Sequence, residues 1–148
     1  MTIEDYFEQP CWVIDPLPRQ VPADSRGKYF AVEQYLLRGP HREALAHRVV
    51  RFLLKLYCYQ PLRLFWPDTE QRLEAPSPEE LADRVFTCLT GRRPSALLVL
   101  LPEAEALLTL DEDDLNLALY HPSAELLELI RPLAMSEGLF LRQPREAR

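Results

Sequence analysis

Apolar positions in this chain fall into blocks of helical and of strand period, and their order predicts an α+β domain. Thr2 and Asp5 have the spacing of a reciprocal capping box, so Ile3 to about Gln9 is expected to be a short helix stopped by Pro10. Cys11-Trp12-Val13-Ile14 is a β-prone run. Pro16, Pro18 and Pro22 cannot donate to a ladder, so residues 15–22 are expected to form an edge strand or a polyproline II segment. Residues 28–37, KYFAVEQYLL, fit two periods. A strand puts Phe30, Val32 and Leu36 on one face, and a helix does so for Tyr29, Val32, Tyr35 and Leu36. Aromatic and β-branched content favours the strand.

Beyond the Arg38-Gly39-Pro40 break, Leu45, Val49, Phe52, Leu53 and Leu56 mark one stripe of a long helix near 41–57. Pro61 introduces a short strand, Leu62 to Phe65, and residues 67–76 are a polar loop. Ser77-Pro78-Glu79-Glu80 supplies an N-cap, a proline at the first helical position and a glutamate at the third. That helix spans about 78–90, turns Leu81, Ala82, Val85, Phe86 and Leu89 inward, and leaves through Gly91 in the left-handed region.

Ala96 to Leu101 is almost continuously apolar, which suits a central strand covered on both faces. With 105–110 and 115–120 it makes a β-meander over 96–120. The last helix, near 123–137, carries its stripe on Leu126, Leu127, Ile130, Leu133 and Ala134. Pro132 should kink it or split it at Arg131. Gly138 closes it, a final strand follows near 139–142, and residues 144–148 form a frayed tail. The prediction is one α+β domain over 1–148 with a mainly antiparallel sheet.

Composition sharpens this picture in three ways. A chain of 148 residues that is 47% apolar can bury a core without staples. Fourteen prolines against four glycines mean that fixed proline φ sets many turns. The net charge of −6 disfavours nucleic acid as a bulk partner. The charge is uneven, however. Residues 38–72 hold seven Lys/Arg against three acids, a net of +4, and residues 102–137 hold nine acids against Arg131, a net of −8. Two contact surfaces, or two halves that attract each other, would both give this asymmetry. Cys11, Cys58 and Cys88 are odd in number and far apart, which predicts reduced, mostly buried thiols and a cytoplasmic protein. The acidic start lacks a signal-peptide pattern, and no apolar run reaches the roughly 18 residues of a spanning helix.

Candidate chemistry is sparse. In a calcium loop counted from Asp111, position 6 would be Asn116 rather than glycine and position 12 would be Pro122 rather than glutamate. His41, His47 and His121 lack zinc-ligand spacing. Nucleophile elbows and phosphate-cradling glycine loops are missing. The expectation is no catalytic residue, no cofactor and no metal. Three surface features remain. Glu103, Glu105, Asp111, Glu112, Asp113 and Asp114 form an acidic interaction surface suited to a basic protein partner. Tyr57, Tyr59, Phe65 and Trp66 are aromatics able to line a pocket or interface. Arg48, Arg51 and Lys55 make a basic helix face of the kind that contacts phosphate.

The leading expectation is therefore a protein-interaction module, an inhibitor or accessory protein. In class alone, small acidic α+β chains of this kind resemble bacterial immunity and antitoxin proteins. The competing readings are a small-molecule site or enzyme between sheet and helices near Trp66, and a nucleic-acid accessory protein using Arg48, Arg51 and Lys55.

Overall fold

The capping box at Thr2 forms as its spacing requires: Asp5 N–H donates to Thr2 Oγ1 at 3.3 Å, and Thr2 N–H donates to Asp5 Oδ2 at 2.8 Å. It opens α1 (Ile3–Phe7) and leads into β1 (Cys11–Asp15). This computed structural model describes residues 1–91, 96–111 and 116–144. The expectations placed on 112–115 and on most of the C-terminal tail lie outside those residues. The order continues α2 (Lys28–Leu36), α3 (Gly39–Tyr57), β2 (Arg63–Trp66), β3 (Gln71–Glu74), α4 (Pro78–Leu89), β4 (Leu97–Leu101), β5 (Ala106–Leu110), β6 (Leu117–Tyr120), α5 (Ala124–Met135) and β7 (Phe140–Arg142).

All strand pairs are antiparallel, in the order β3-β2-β4-β5-β6-β1-β7. The meander β4-β5-β6 pairs neighbours in sequence, β4 with β5 and β5 with β6. The N-terminal β1 inserts between β6 and β7, pairing Cys11 with Tyr120 and Asp15 with Phe140. Strand alternation sends Leu64, Leu97, Val99, Leu101, Leu108 and Leu119 to the face that packs α3, α4 and α5. Phe52, Leu53 and Leu56 of α3 and Leu81 and Val85 of α4 are fully buried against it. On the other face, Leu98 and Leu107 pack with Tyr6 of α1 in a smaller cluster. Both faces of β4 are thus buried, as its unbroken apolar run implies.

Four expectations need correction. Residues 28–37 are not a strand but α2. Only Val32 in α2 is β-branched, and Lys, Ala, Glu, Gln and Leu are good helix formers. Gly27 enters at φ 78, and Tyr29 and Glu33 pair one turn apart at 3.3 Å. Residues 67–76 are not simply a loop, because Gln71–Glu74 pairs in full register with β2. Its polar sequence is that of a short, charged edge strand with only Leu73 turned toward the core. For residues 15–22 only the edge-strand alternative fails, because among the described residues 16–22 pair with no strand. β1 ends at Asp15 before the prolines begin, and it is an interior strand. Finally, Pro132 does not split α5, which continues to Met135. The proline sits in the last turn, where a missing N–H removes one bond. The helix then ends in a Schellman pattern, Leu139 N–H to Ala134 O at 2.9 Å and Gly138 N–H to Met135 O at 3.1 Å, with Gly138 at φ 72.

One buried charge holds the β1–β7 edge. Asp15 is 1% exposed and is the buried charged residue among the described positions. Its Oδ2 accepts from Arg142 Nη2 at 2.5 Å and its Oδ1 from Leu17 N–H at 2.9 Å. Arg142 Nη1 also reaches Gln20 Oε1 at 3.1 Å, tying down the proline-rich segment. Burial, then the Glu33 and Asp15 carboxylates, push the nearby Tyr29 phenol up to about 12. Among the described residues, no helix is long and apolar enough to cross a membrane.

Candidate functional site

The densest set of chemically expressive side chains lies at one end of the sheet. Three chain segments meet there: the Pro102–Glu105 turn joining β4 to β5, the His121–Ser123 junction joining β6 to α5, and the Tyr59–Gln60 tail of α3. Between them is an open cleft of ≈ 780 Å³. Its backbone is strained, since Glu105 (φ 50) and His121 (φ 62) both occupy the left-handed region without being glycine. Two hydrogen bonds compensate. His121 N–H donates to Pro10 O at 2.9 Å, and His121 Nδ1 lies 2.7 Å from Glu105 O. A carbonyl oxygen only accepts, so Nδ1 carries the proton. Ser123 caps α5 by accepting from Leu126 N–H at 3.1 Å.

The cleft is electrostatically one-sided. Glu103, Glu105 and Glu125 line it, all exposed, and among the described residues its lining contains no Lys or Arg. Burial raises the Tyr6 phenol behind His121, and the Glu105 charge raises it further. Tyr59 stands 62% exposed at the mouth. Gln60 Oε1 is buried with no hydrogen-bond partner among the described residues. Such a surface suits a cationic group able to donate hydrogen bonds and lie against an aromatic ring. Among the described residues, no three His, Cys, Asp or Glu converge closely enough to hold a metal ion. Comparison with known proteins adds no relative: no family model, curated protein or solved structure matches the chain.

The acidic surface expected from sequence is divided. Glu103 and Glu105 share the cleft, but Asp111 lies at the other end of the five-residue β5, six residues and about 20 Å from Glu105 at a strand's rise. Glu112, Asp113 and Asp114 lie outside the described residues. The four aromatics go to separate places. Tyr57 packs against the core and donates to Pro76 O at 2.7 Å. Tyr59 faces the cleft. Phe65 is on the sheet face away from the large helices, with Arg72 5.5 Å above its ring. Trp66 lines a separate ≈ 560 Å³ cavity between the β2–β3 hairpin and α4, beside Asp68, Arg72, Asp83 and Arg84. A pocket near Trp66 therefore exists, but Tyr59 is not in it and its lining is largely charged or polar.

The basic face on α3 turns out to grip the end of α5. Arg51 Nε lies 2.7 Å from Glu137 Oε1, and Lys55 Nζ lies 2.6 Å from Glu137 Oε2 and 2.8 Å from Ser136 Oγ. Arg48 lies against Gly138, where an added Cβ would come within 3.3 Å of its Nη1. The +4 and −8 segments thus attract each other inside the fold at this point. Hydrogen bonds from Lys55 and Arg51 hold the Glu137 carboxyl below its ordinary value of 4.5. Its contribution is therefore present above pH 4.5 and lost as pH falls through the lower folded value. Arg51 and Lys55 are about half exposed, so water screens the pairs, and Glu137→Gln should cost only about 0.5–1 kcal/mol at neutral pH. Urea unfolding of both proteins should show that gap closing well below pH 4.5. A pH-independent gap would mean that packing, not charge, carries the effect.

Sequence reading missed Glu125, Gln60 and the role of His121. The one signal for them was the His121-Pro122-Ser123 junction, which marks a strand-to-helix corner without revealing what opposes it. The thiols also differ from the mostly buried set expected. Cys88 is buried, Cys11 half-buried and Cys58 exposed, because Cys58 follows the last turn of α3.

Proposed function

We propose that this chain is a cytoplasmic protein-interaction module, inhibitor-like or accessory in character, whose cleft captures a basic side chain of a partner protein. The observation that carries it is the cleft itself: three exposed carboxylates and an exposed Tyr59 line it, with no Lys or Arg among the described residues of its lining. A guanidinium fits this set best. It can stack on Tyr59 and donate to a carboxylate at the same time. The acidic rim would speed encounter with a basic partner and make binding weaken with salt. Free thiols, one of them exposed, suit a reducing compartment. The competing small-molecule reading has the Trp66 cavity in its favour, but that wall is short of the apolar surface such ligands need.

The test is an NMR titration of the full chain with a short arginine-containing peptide and with the same peptide carrying glutamine. Shifts are expected at Tyr59, Gln60 and His121 for the arginine peptide only. Glu105→Gln with Glu125→Gln should weaken that binding by roughly ten-fold or more. Equal responses to both peptides, or an unchanged affinity in the double variant, would refute the proposal.

A further inference from the structure

His121 ties the cleft to the rest of the fold and holds a proton site inside it. Its main-chain N–H donates to Pro10 O at 2.9 Å, just before β1. Its Nδ1–H donates to Glu105 O, 2.7 Å away on the β4–β5 turn. Tyr6 of α1 meets the imidazole edge-on, with ring centroids 6.4 Å apart. The Tyr6 phenol, raised by burial, is raised further by the Glu105 charge, so that carboxylate reaches the same corner.

These contacts fix the ring through Nδ1 and leave Nε2 to take up a proton. A carbonyl oxygen accepts from Nδ1–H whether the imidazole is neutral or charged, so that bond persists in both states. Proton uptake therefore changes the charge of the cleft without releasing the ring. The titratable groups around it among the described residues are Tyr6 of α1, Cys11 next to Pro10, Tyr59 after α3, Glu103 and Glu105 of the β4–β5 turn, and Glu125 in the first turn of α5. Of these, the groups charged near neutral pH are the three carboxylates. A proton on Nε2 thus puts a cation where the partner's basic side chain would bring its own.

We propose that His121 gates the cleft by protonation: the neutral imidazole leaves the carboxylates to the partner's basic side chain, and the imidazolium adds a like charge that repels it. This rests on the cleft being a cation site. Two like charges within one cleft oppose each other. The coupling is reciprocal, so a bound guanidinium resists proton uptake by the imidazole as much as the proton resists the guanidinium. Imidazole is the side chain whose charge changes between about pH 5 and 8. Capture is therefore strong at neutral pH and is released on mild acidification.

NMR titration of the full chain with the short arginine-containing peptide, at about pH 8 and about pH 5.5, tests it. The wild type is expected to bind roughly five-fold or more weakly at the lower pH. His121→Asn removes the proton site, and asparagine accepts the left-handed φ of 62 at this position and has an amide able to donate. Circular dichroism should show it folded. Whatever its affinity at the higher pH, this variant should bind almost equally at both. The wild-type imidazole gives a second reading: saturating peptide should move the midpoint of its Hε1 titration to lower pH. A wild-type affinity independent of pH, the same pH dependence in His121→Asn, or an unmoved imidazole midpoint would overturn the gate and leave the cleft reading standing. Failure of the peptide to bind at the higher pH would overturn both.

Discussion

Asp15→Ala is expected to lower stability by about 3–5 kcal/mol, the largest loss for any single charged residue in this fold. The reason is what it leaves behind. Arg142 would remain in place with only 17% of its side chain exposed, without the carboxylate that now accepts from Nη2. Its Nε is already buried with no hydrogen-bond partner among the described residues, so the guanidinium has little left to lose. Leu17 N–H would lose its acceptor as well. The double variant Asp15→Ala with Arg142→Leu should recover much of the loss, because it removes the stranded charge. Urea unfolding of the four proteins in that cycle measures the coupling. A single-variant loss below about 1 kcal/mol would show that water reaches Arg142 and that the pair is a surface one. Functional consequences should accompany the loss. Asp15, Arg142 and Gln20 anchor the segment that leads into α2, so the variant should loosen that helix before it disturbs the meander.

How far each element was legible depended on whether its apolar residues point inward. α3, α4, the meander and α5 obey that rule, and their stripes locate Phe52, Leu81, Val85, Leu108 and Ile130 in the core. Capping residues were legible as well, since Thr2-Asp5 and Ser77-Glu80 act within one turn and need no tertiary partner. β3 was illegible because an edge strand can be polar on both faces. The cleft was half legible. Glu103 and Glu105 announce a charged turn, but Glu125 and Gln60 join them only through the strand order, which no local pattern encodes. The basic triad on α3 was visible as a stripe. Its partner Glu137 is 86 residues from Arg51, and only the packing of α5 on α3 brings them together.

α2 is the case where the inward rule fails, and a matched pair of phenylalanines measures that failure. Phe52→Ala on α3 should cost about 3–5 kcal/mol, because it opens a cavity where the side chain is 0% exposed. Phe30→Ala should change monomer stability by no more than about 0.5 kcal/mol, since that ring is 65% exposed and its removal leaves no void. Alanine also suits a helix better than phenylalanine does, which offsets the little packing the ring provides along α2. Chemical denaturation at low micromolar protein measures both changes in the monomer. A loss of several kcal/mol for Phe30→Ala in the dilute monomer would place that ring in the core.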